Sequence, residues 1–597
     1  MKKSNLKNLA VCFIFAVNFT SVLSAEIIPL SSESNSKYLP VTIKSLNGDS
    51  EDGILTCWLE DSENGSLKIQ KTGMNGELIW DENAITVNSG LGTSFTSDSD
   101  YPNIYSDNSG GAVIIYRKVF TTSDEIYSSK ITSEGKVTVT ENLSSHYGGY
   151  NFCPRSVNCP DNTIAVVWEN FNGGNFDIHS QKINMNGDKL WNNGNEVVVC
   201  RQSNDQRKPN IICDQSNKLI ITWLDDRNSA TSNEYSMDLF ANKLDENGNY
   251  TEYGNTGKLI FDYNYSVSNF NNKGKNNNLI NRNGKGPGKI QKVILYNHNM
   301  VLSENNSLIF AVDLWLFDID SYIDIFKIDS NLNQLWESII EEESFQYNPL
   351  IVSDGNYGAC IVWNDKRNNM NNIYEIKIDK FGNKVSGSAN GNIVSFGNNS
   401  SDKKLANQYN PGGIHKIENQ IFIPWVDSEK SDLFLTEFHT GDSGFYKNLS
   451  AKIGENVSSS DFISTTSLRN KSVLVFVSGN QINLSMETFK KKINVNENKI
   501  SINNFPNPFN PATKIKYEIP DGQTGQVSFV TLKVYDISGK EVVTLVNENQ
   551  SSGIYEVSFS SASSGVNLPS GVYYAKIVAQ NGLSKTYTAV RKMILVK

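Results

Sequence analysis

The sequence predicts an all-β chain: a large β-propeller, with eight blades favoured and seven possible, followed by a small separate β module. Two recurring spacings and the composition predict it. Five times an aromatic follows a proline by 14 positions: Pro102–Tyr116, Pro154–Trp168, Pro209–Trp223, Pro349–Trp363 and Pro411–Trp425. Five times a glycine follows a lysine by 5: Lys71–Gly76, Lys130–Gly135, Lys182–Gly187, Lys243–Gly248 and Lys377–Gly382. The 597 residues include 42 Gly and 25 Tyr, with runs of Asn and Ser, which suits many turns and strands.

Each proline opens a strand, a polar turn follows, and an apolar run ends in the aromatic. The lysine lies on the next strand, and the glycine supplies the positive φ of a hairpin turn. A further strand then begins, often with Trp: Trp80, Trp191 and Trp336. Trp58 marks a first copy, Asp313 stands near the aromatic position of a weaker copy, and Phe476 centres a degenerate last one. Positions 58, 116, 168, 223, 313, 363, 425 and 476 thus mark eight units. A sheet this small cannot bury both faces alone, so the units must stack, with one aromatic anchor packed between neighbours. The expected structural anchors are Trp58, Tyr116, Trp168, Trp223, Trp363 and Trp425. A run of sandwich domains would need about 100 residues per unit, which this period does not supply.

The chain divides into residues 1–25, 26–489, 490–502 and 503–597. Lys2, Lys3 and Lys7, the apolar run from Leu9 to Val22, and the small Ser24 and Ala25 follow the order of a secretory signal peptide. No later stretch approaches about 20 uninterrupted apolar residues, so no transmembrane segment is expected after signal removal. Residues 26–489 form the propeller, 490–502 a polar linker, and 503–597 the last module. Between about 265 and 295 lies an insertion with Lys273, Lys275, Arg282, Lys285, Lys289 and Lys292 and no acid from Asn271 to Lys292. It reads as a solvated surface loop. Six Cys remain after the signal; Cys153 and Cys159 flank one turn and could bridge, while several others read equally well as small buried residues. A net charge of −10 argues against a nucleic-acid ligand.

Acids follow several anchors: Glu60, Asp61, Glu169, Asp225, Asp226, Asp365 and Asp427, with Arg227 and Arg367 close behind. Paired carboxylates could serve a glycosidase, and clustered oxygens could hold a structural Ca²⁺. A feature present in most repeats is more simply structural, accepting backbone hydrogen bonds or pairing with the nearby Arg. His146, His179, His298, His415 and His439 fall in no metal or nucleophile motif. No catalytic residue and no cofactor site is expected.

The C-terminal segment carries the most specific motifs. Phe505-Pro506-Asn507-Pro508-Phe509-Asn510-Pro511 reads as an extended, proline-set lead into a strand. Leu532–Val546 reads as a hairpin around Val534-Tyr535-Asp536 and Gly539-Lys540-Glu541-Val542. Ser570-Gly571 and Tyr573 fall within Leu568–Ile577, and Lys592-Met593 comes near the end. These elements, in this order, resemble the type A C-terminal sorting domain of the type IX secretion system. The resemblance covers about residues 500–597. It implies an immunoglobulin-like sandwich, an outer-membrane translocon as partner, and a possible tail-processing peptidase. The middle region loosely resembles bacterial extracellular propeller repeats. The expectation is a secreted or cell-surface binding or structural protein that takes a polysaccharide or protein ligand. The alternative is a carbohydrate-active hydrolase with its acids at the propeller axis.

Overall fold

The structure is a computed structural model. It describes residues 27–596 except 34, 62–63, 82, 93–100, 229–236, 263–292, 317–319, 341–343, 368–369, 386–389, 395–407, 410–412, 418–419, 428–430, 442–443, 456, 458–462, 469–470, 479–480, 489–500, 520–527, 551–552, 562–567 and 582–584. The signal segment, the whole of Asn271–Lys292 and linker residues 490–500 lie outside the described residues. The chain forms two compact units, Met1–Thr488 and Phe489–Lys597.

In the first unit the described residues form seven hydrogen-bonded sheets, one of them eight-stranded. That sheet is two four-stranded repeats joined by a single parallel pair, Tyr150 with Asp124. Repeat 1 comprises Lys37–Asn47, Ser50–Glu60, Ser66–Thr72 and Ile85–Ser89. Repeat 2 comprises Asn103–Ser106, Ala112–Val119, Asp124–Ile131 and Val137–Asn142, and repeat 3 Tyr150–Asn158, Thr163–Phe171, Phe176–Asn184 and Val197–Cys200. Repeat 4 comprises Gln206–Cys213, Leu219–Asp225, Asp238–Leu244 and Lys258–Phe261, and repeat 5 Val293–Leu302, Leu308–Leu316, Asp320–Ile328 and Gln334–Ile339. Repeat 6 comprises Gln346–Ser353, Ala359–Asp365, Asn372–Ile378 and Asn392–Ile393. Repeat 7 has Gln408–Tyr409 and His415–Ile417 in first place, then Gln420–Asp427, Asp432–Gly441 and Gly444–Gly454. Repeat 8 contributes Ile463–Leu468, Lys471–Ser478 and Gln481–Thr488, and its fourth strand is Ile27–Pro29 from the start of the chain.

The second strands are mainly apolar because both faces are covered, and the third strands bury polar residues such as Gln70, Gln181 and Glu375 among their apolar ones. Every residue of Ala359–Asp365 and Asn372–Ile378 is buried. The anchors lie there: Trp58, Tyr116, Trp168, Trp223, Trp363 and Trp425 are all buried. Each of three stacks on its cross-strand neighbour, Trp223 on Phe240, Trp363 on Tyr374 and Trp425 on Phe434.

The Lys–Gly spacing has two physical causes. In repeats 2, 3 and 6 the lysine reaches an acid in the first hairpin of its own repeat, Lys130 to Asp107, Lys182 to Asp161 and Lys377 to Asp354, whereas Lys243 of repeat 4 donates to the Ser330 carbonyl of repeat 5. The glycine turns the chain and lets the preceding repeat come close. Trp191 donates its indole N–H to the Glu246 carbonyl at 3.0 Å, and Trp336 to that of Lys380 at 3.0 Å. A Cβ on Gly248 would stand 2.7 Å from the Trp191 ring, and one on Gly382 2.8 Å from that of Trp336. Both glycines also have positive φ, 84° and 85°. Trp80 and Trp191 precede their strands, whereas Trp336 lies inside Gln334–Ile339.

Cysteine pairing crosses repeats. Cys159, after the first strand of repeat 3, bonds to Cys213 at the end of the first strand of repeat 4. Cys153 is not its partner: it is a free thiol, as are the buried Cys57, Cys200 and Cys360.

The second unit has a three-stranded sheet, ordered Ser501–Phe505, Ala512–Ile519, Gly553–Ser560. A four-stranded sheet is ordered Glu541–Gln550, Ser528–Tyr535, Gly571–Asn581, Lys585–Leu595. Phe509, Ile515, Leu532, Phe559, Ile577 and Met593 share the core of this unit. Its first strand takes in the last two residues of the 490–502 segment. Among the described residues no helix is long and apolar enough to cross a membrane.

Candidate functional site

Repeats 4 and 6 share a construction at the end of the second strand. The Trp223 indole donates to Asp225 at 2.8 Å, and Arg227 returns to that carboxylate from its backbone and guanidinium. Trp363, Asp365 and Arg367 do the same. The two guanidiniums cover Phe240 at 4.1 Å and Tyr374 at 3.9 Å. These acids are fully buried and closely bonded, so they hold the fold. Burial alone would raise Asp365, but the Arg367 hydrogen bonds outweigh it and hold its carboxyl below the ordinary range.

Repeat 5 reverses this order. Where repeats 4 and 6 read Trp-x-Asp, it reads Asp313-Leu314-Trp315. Asp313 occupies the anchor position in the core, and Trp315 is displaced outward to 37% exposure. Asp313 accepts the backbone N–H of Asn297 at 2.5 Å and that of Asn348, in repeat 6, at 3.2 Å. Burial raises its pKa to about 6 against those bonds. Glu169 likewise accepts the N–H of Lys208 at 2.6 Å, tying repeat 3 to repeat 4.

Those N–H groups belong to bulges in the first strands. Leu39, Cys153, Lys208 and Asn348 each precede a proline and have φ of 51°, 51°, 50° and 53°. The pairing register shifts at each of the four. A non-glycine residue here is strained and persists only where the surroundings over-determine it. The carboxylates of Glu169 and Asp313 do so for Lys208 and Asn348.

The bulges turn a line of rings and cations toward one end of the repeats. The Arg117 guanidinium lies 4.7 Å from the Phe152 ring, and that of Arg207 3.6 Å from Phe176, itself 5.8 Å from Phe152. Next in the chain, Lys208 sits 3.9 Å from the Tyr296 ring and donates to the Tyr296 carbonyl at 2.7 Å. Tyr296 is 5.4 Å from Trp315, and Trp315 6.5 Å from Tyr347. Lys366 closes the line, 5.6 Å from Tyr347 and 5.8 Å from Phe345. Tyr296 is 47% and Phe345 37% exposed. Arg117 and Arg207 are paired with Asp124 at 2.7 Å and Glu169 at 2.8 Å, so the line offers a ligand stacking faces on its rings and counter-charges at Lys208 and Lys366.

The histidines divide. His146 and His179 meet the edges of Tyr147 at 4.7 and 4.9 Å, with Arg201 over the Tyr147 ring and paired to Asp177 at 2.7 Å. His179 is fully buried, and burial, helped by Arg201, pushes its pKa down to about 3. His298 is also buried and bonds Thr222 of repeat 4 at 2.8 Å. Burial first, then Lys208 and Arg155, push it to about 3. The side chains of His415 and His439 lie outside the described residues.

His298 sets a pH dependence. The folded state leaves it neutral down to about pH 3, whereas the unfolded chain takes up its proton near 6.5. Its contribution to stability is therefore complete above about pH 6.5 and is lost as pH falls. The stability gap between the natural protein and His298→Gln should narrow by about 2 kcal/mol from pH 7 to pH 5. Urea unfolding at both pH values measures it; a gap that stays constant with pH would refute it.

The C-terminal motifs meet in space. Asn507 donates to the Lys592 carbonyl at 3.0 Å and accepts the Ile594 N–H at 2.9 Å. The Phe509 N–H bonds the Ile594 carbonyl, and the Phe509 carbonyl accepts the Val596 N–H. Phe505 ends the first strand of this unit, and Pro506 accepts a hydrogen bond from Thr513. These bonds make the segment after Phe505 a clasp on the end of the chain and not the extended lead that its prolines suggested; its Asn507–Pro508 and Asn510–Pro511 bonds are cis. Asp536 caps the hairpin, accepting the N–H groups of Ser538 and Lys540, while Gly539 has φ 84°. The Tyr573 hydroxyl bonds the Pro569 carbonyl, Gly571 opens the following strand, and Tyr535 lies opposite Tyr574.

Sequence reasoning did not single out Tyr296, Trp315, Tyr347, Lys208 or Lys366. Two signals were present: an aromatic two positions before the repeat proline, as in Tyr38, Phe152 and Tyr347, and the reversed Asp313-Leu314-Trp315. Among the described residues no three His, Cys, Asp or Glu side chains gather as metal ligands would.

Residues 517–582 match the FlgD Ig-like domain family, so the C-terminal unit is immunoglobulin-like. No curated protein matches the chain. Among solved structures, an ulvan lyase of polysaccharide lyase family PL25, bound to -[GlcA(1-4)Rha3S]-, is 9% identical, with 77% of this chain and 95% of that one covered and a TM-score of 0.41. The polysaccharide lyase Uly1 is 8% identical, covering 78% and 99%, with a TM-score of 0.41. The periplasmic gluconolactonase PpgL of Pseudomonas aeruginosa is 10% identical, covering 70% and 97%, with a TM-score of 0.35.

Proposed function

We propose that the first unit, from Ile27 to Thr488, is a closed eight-bladed propeller that binds polysaccharide at the line of rings and cations. The same reading has the C-terminal unit deliver it to the cell surface through an outer-membrane secretion system. Closure is supported by the way the last repeat meets the first. Ile27–Pro29 pairs with Gln481–Thr488, Thr42 donates its N–H to Ser464, and Lys471 donates to the Met74 carbonyl. Such closure protects the sheet edges.

The single observation that carries the binding role is the run of exposed rings in repeats 5 and 6. Sugar faces pack on aromatic planes, and a row of planes grips an extended chain. The hydrolase reading finds less support, because Glu169, Asp225, Asp313 and Asp365 are fully buried and already bonded to backbone or arginine. A panel of soluble polysaccharides run through affinity gels with the full chain tests binding. At least one polymer should retard the protein; uniform free migration would overturn the proposal.

A further inference from the structure

We infer that the row across repeats 4 to 6 is a subsite for acidic polysaccharide. Sugars stack on Tyr296, Trp315 and Tyr347, and their carboxylate or sulfate groups meet Lys208 and Lys366. This rests on the polysaccharide-binding reading above and names the ligand's charge. Three observations carry it together. The first is the reversed order in repeat 5, which trades a core Trp for a core acid and brings Trp315 to the surface between two tyrosines, 5.4 and 6.5 Å away. The second is the placement of lysines at the two ends of that row: Lys366 5.6 Å from the Tyr347 ring, and Lys208 3.9 Å from that of Tyr296. The third is the fate of the acids underneath. Glu169 and Asp313 are fully buried; Glu169 is bonded to the Lys208 N–H and paired with Arg207 at 2.8 Å, and Asp313 is turned to backbone N–H groups, so neither carboxylate competes with a ligand for the lysines. Among the described residues no carboxylate pairs with Lys366.

The chain as a whole carries a net charge of −10 and repels polyanions. Lysines beside the rings give a polyanion countercharges at one place on such a surface. Neutral sugars would need only the rings. Cations flanking the rings add affinity only where the ligand brings an anion to meet them.

The test titrates the full chain with polygalacturonate and with dextran sulfate, each beside its uncharged counterpart, methyl-esterified polygalacturonate and dextran, at low and high salt. Both polyanions, or one of them, should bind about tenfold tighter than the uncharged partner, with affinity falling as salt rises. Trp315→Ala should weaken binding of every bound polymer by about tenfold or more. Lys366→Gln should weaken only the polyanions and flatten the salt dependence, and Lys366→Arg should restore both. Circular dichroism checks that each variant is folded. Equal binding of charged and uncharged partners would overturn the inference and leave the polysaccharide reading standing. No binding by any polymer, or full binding by a folded Trp315→Ala, would overturn both.

Discussion

Asp365→Ala is expected to cost the first unit about 3–5 kcal/mol. One carboxylate there serves five donors: Ser344, Gln346, the Trp363 indole, and the backbone and guanidinium of Arg367. Removing it leaves the mostly buried Arg367 charge without this carboxylate and strips the Trp363 indole of its acceptor. The neighbouring Lys366→Ala, on an exposed residue, should change stability by no more than about 0.5 kcal/mol. Denaturant unfolding of both variants measures the contrast. Equal stabilities would mean that the Trp-x-Asp-x-Arg construction does not hold the repeat.

Phe509→Ala is expected to cost the second unit about 3–5 kcal/mol. The ring is buried against Phe559 at 5.7 Å, and its backbone holds the last strand on both sides. Domains of this size hold only about 5–15 kcal/mol in all, so the loss brings the unit near its limit. The first unit's transition should not move. If the unit is the sorting signal, the variant should be retained in the periplasm, as should a deletion of residues 532–597. A clearly destabilised Phe509→Ala, or the deletion, that still reaches the surface normally would reject the sorting role.

How much was legible in advance follows from the range of each interaction. Turn positions such as Gly248 and Gly382 can be read from sequence because positive φ is a local demand on one residue. The apolar second strands can be read because a run buried on both faces needs no partner to be recognised. The pairing of Cys159 with Cys213 could not be read, because it joins first strands of adjacent repeats and spacing favours the nearer Cys153. Nor could the clasp, in which Asn507 meets Lys592 across most of the second unit, although both residues had been noted separately.

The sequence by itself determined the strand content, the repeat period and the turn chemistry, since these depend on side chains close along the chain. The tertiary structure decided which residues face each other between repeats. It turned Asp313-Leu314-Trp315 from part of a weaker copy into the place where a tryptophan leaves the core. It also set Tyr296 and Tyr347, 51 positions apart, on either side of that ring. The physical reason is that the row draws on two sheets, Tyr296 and Trp315 from one and Tyr347 from the next, and their alignment is fixed only when the bulges and buried carboxylates lock those sheets together.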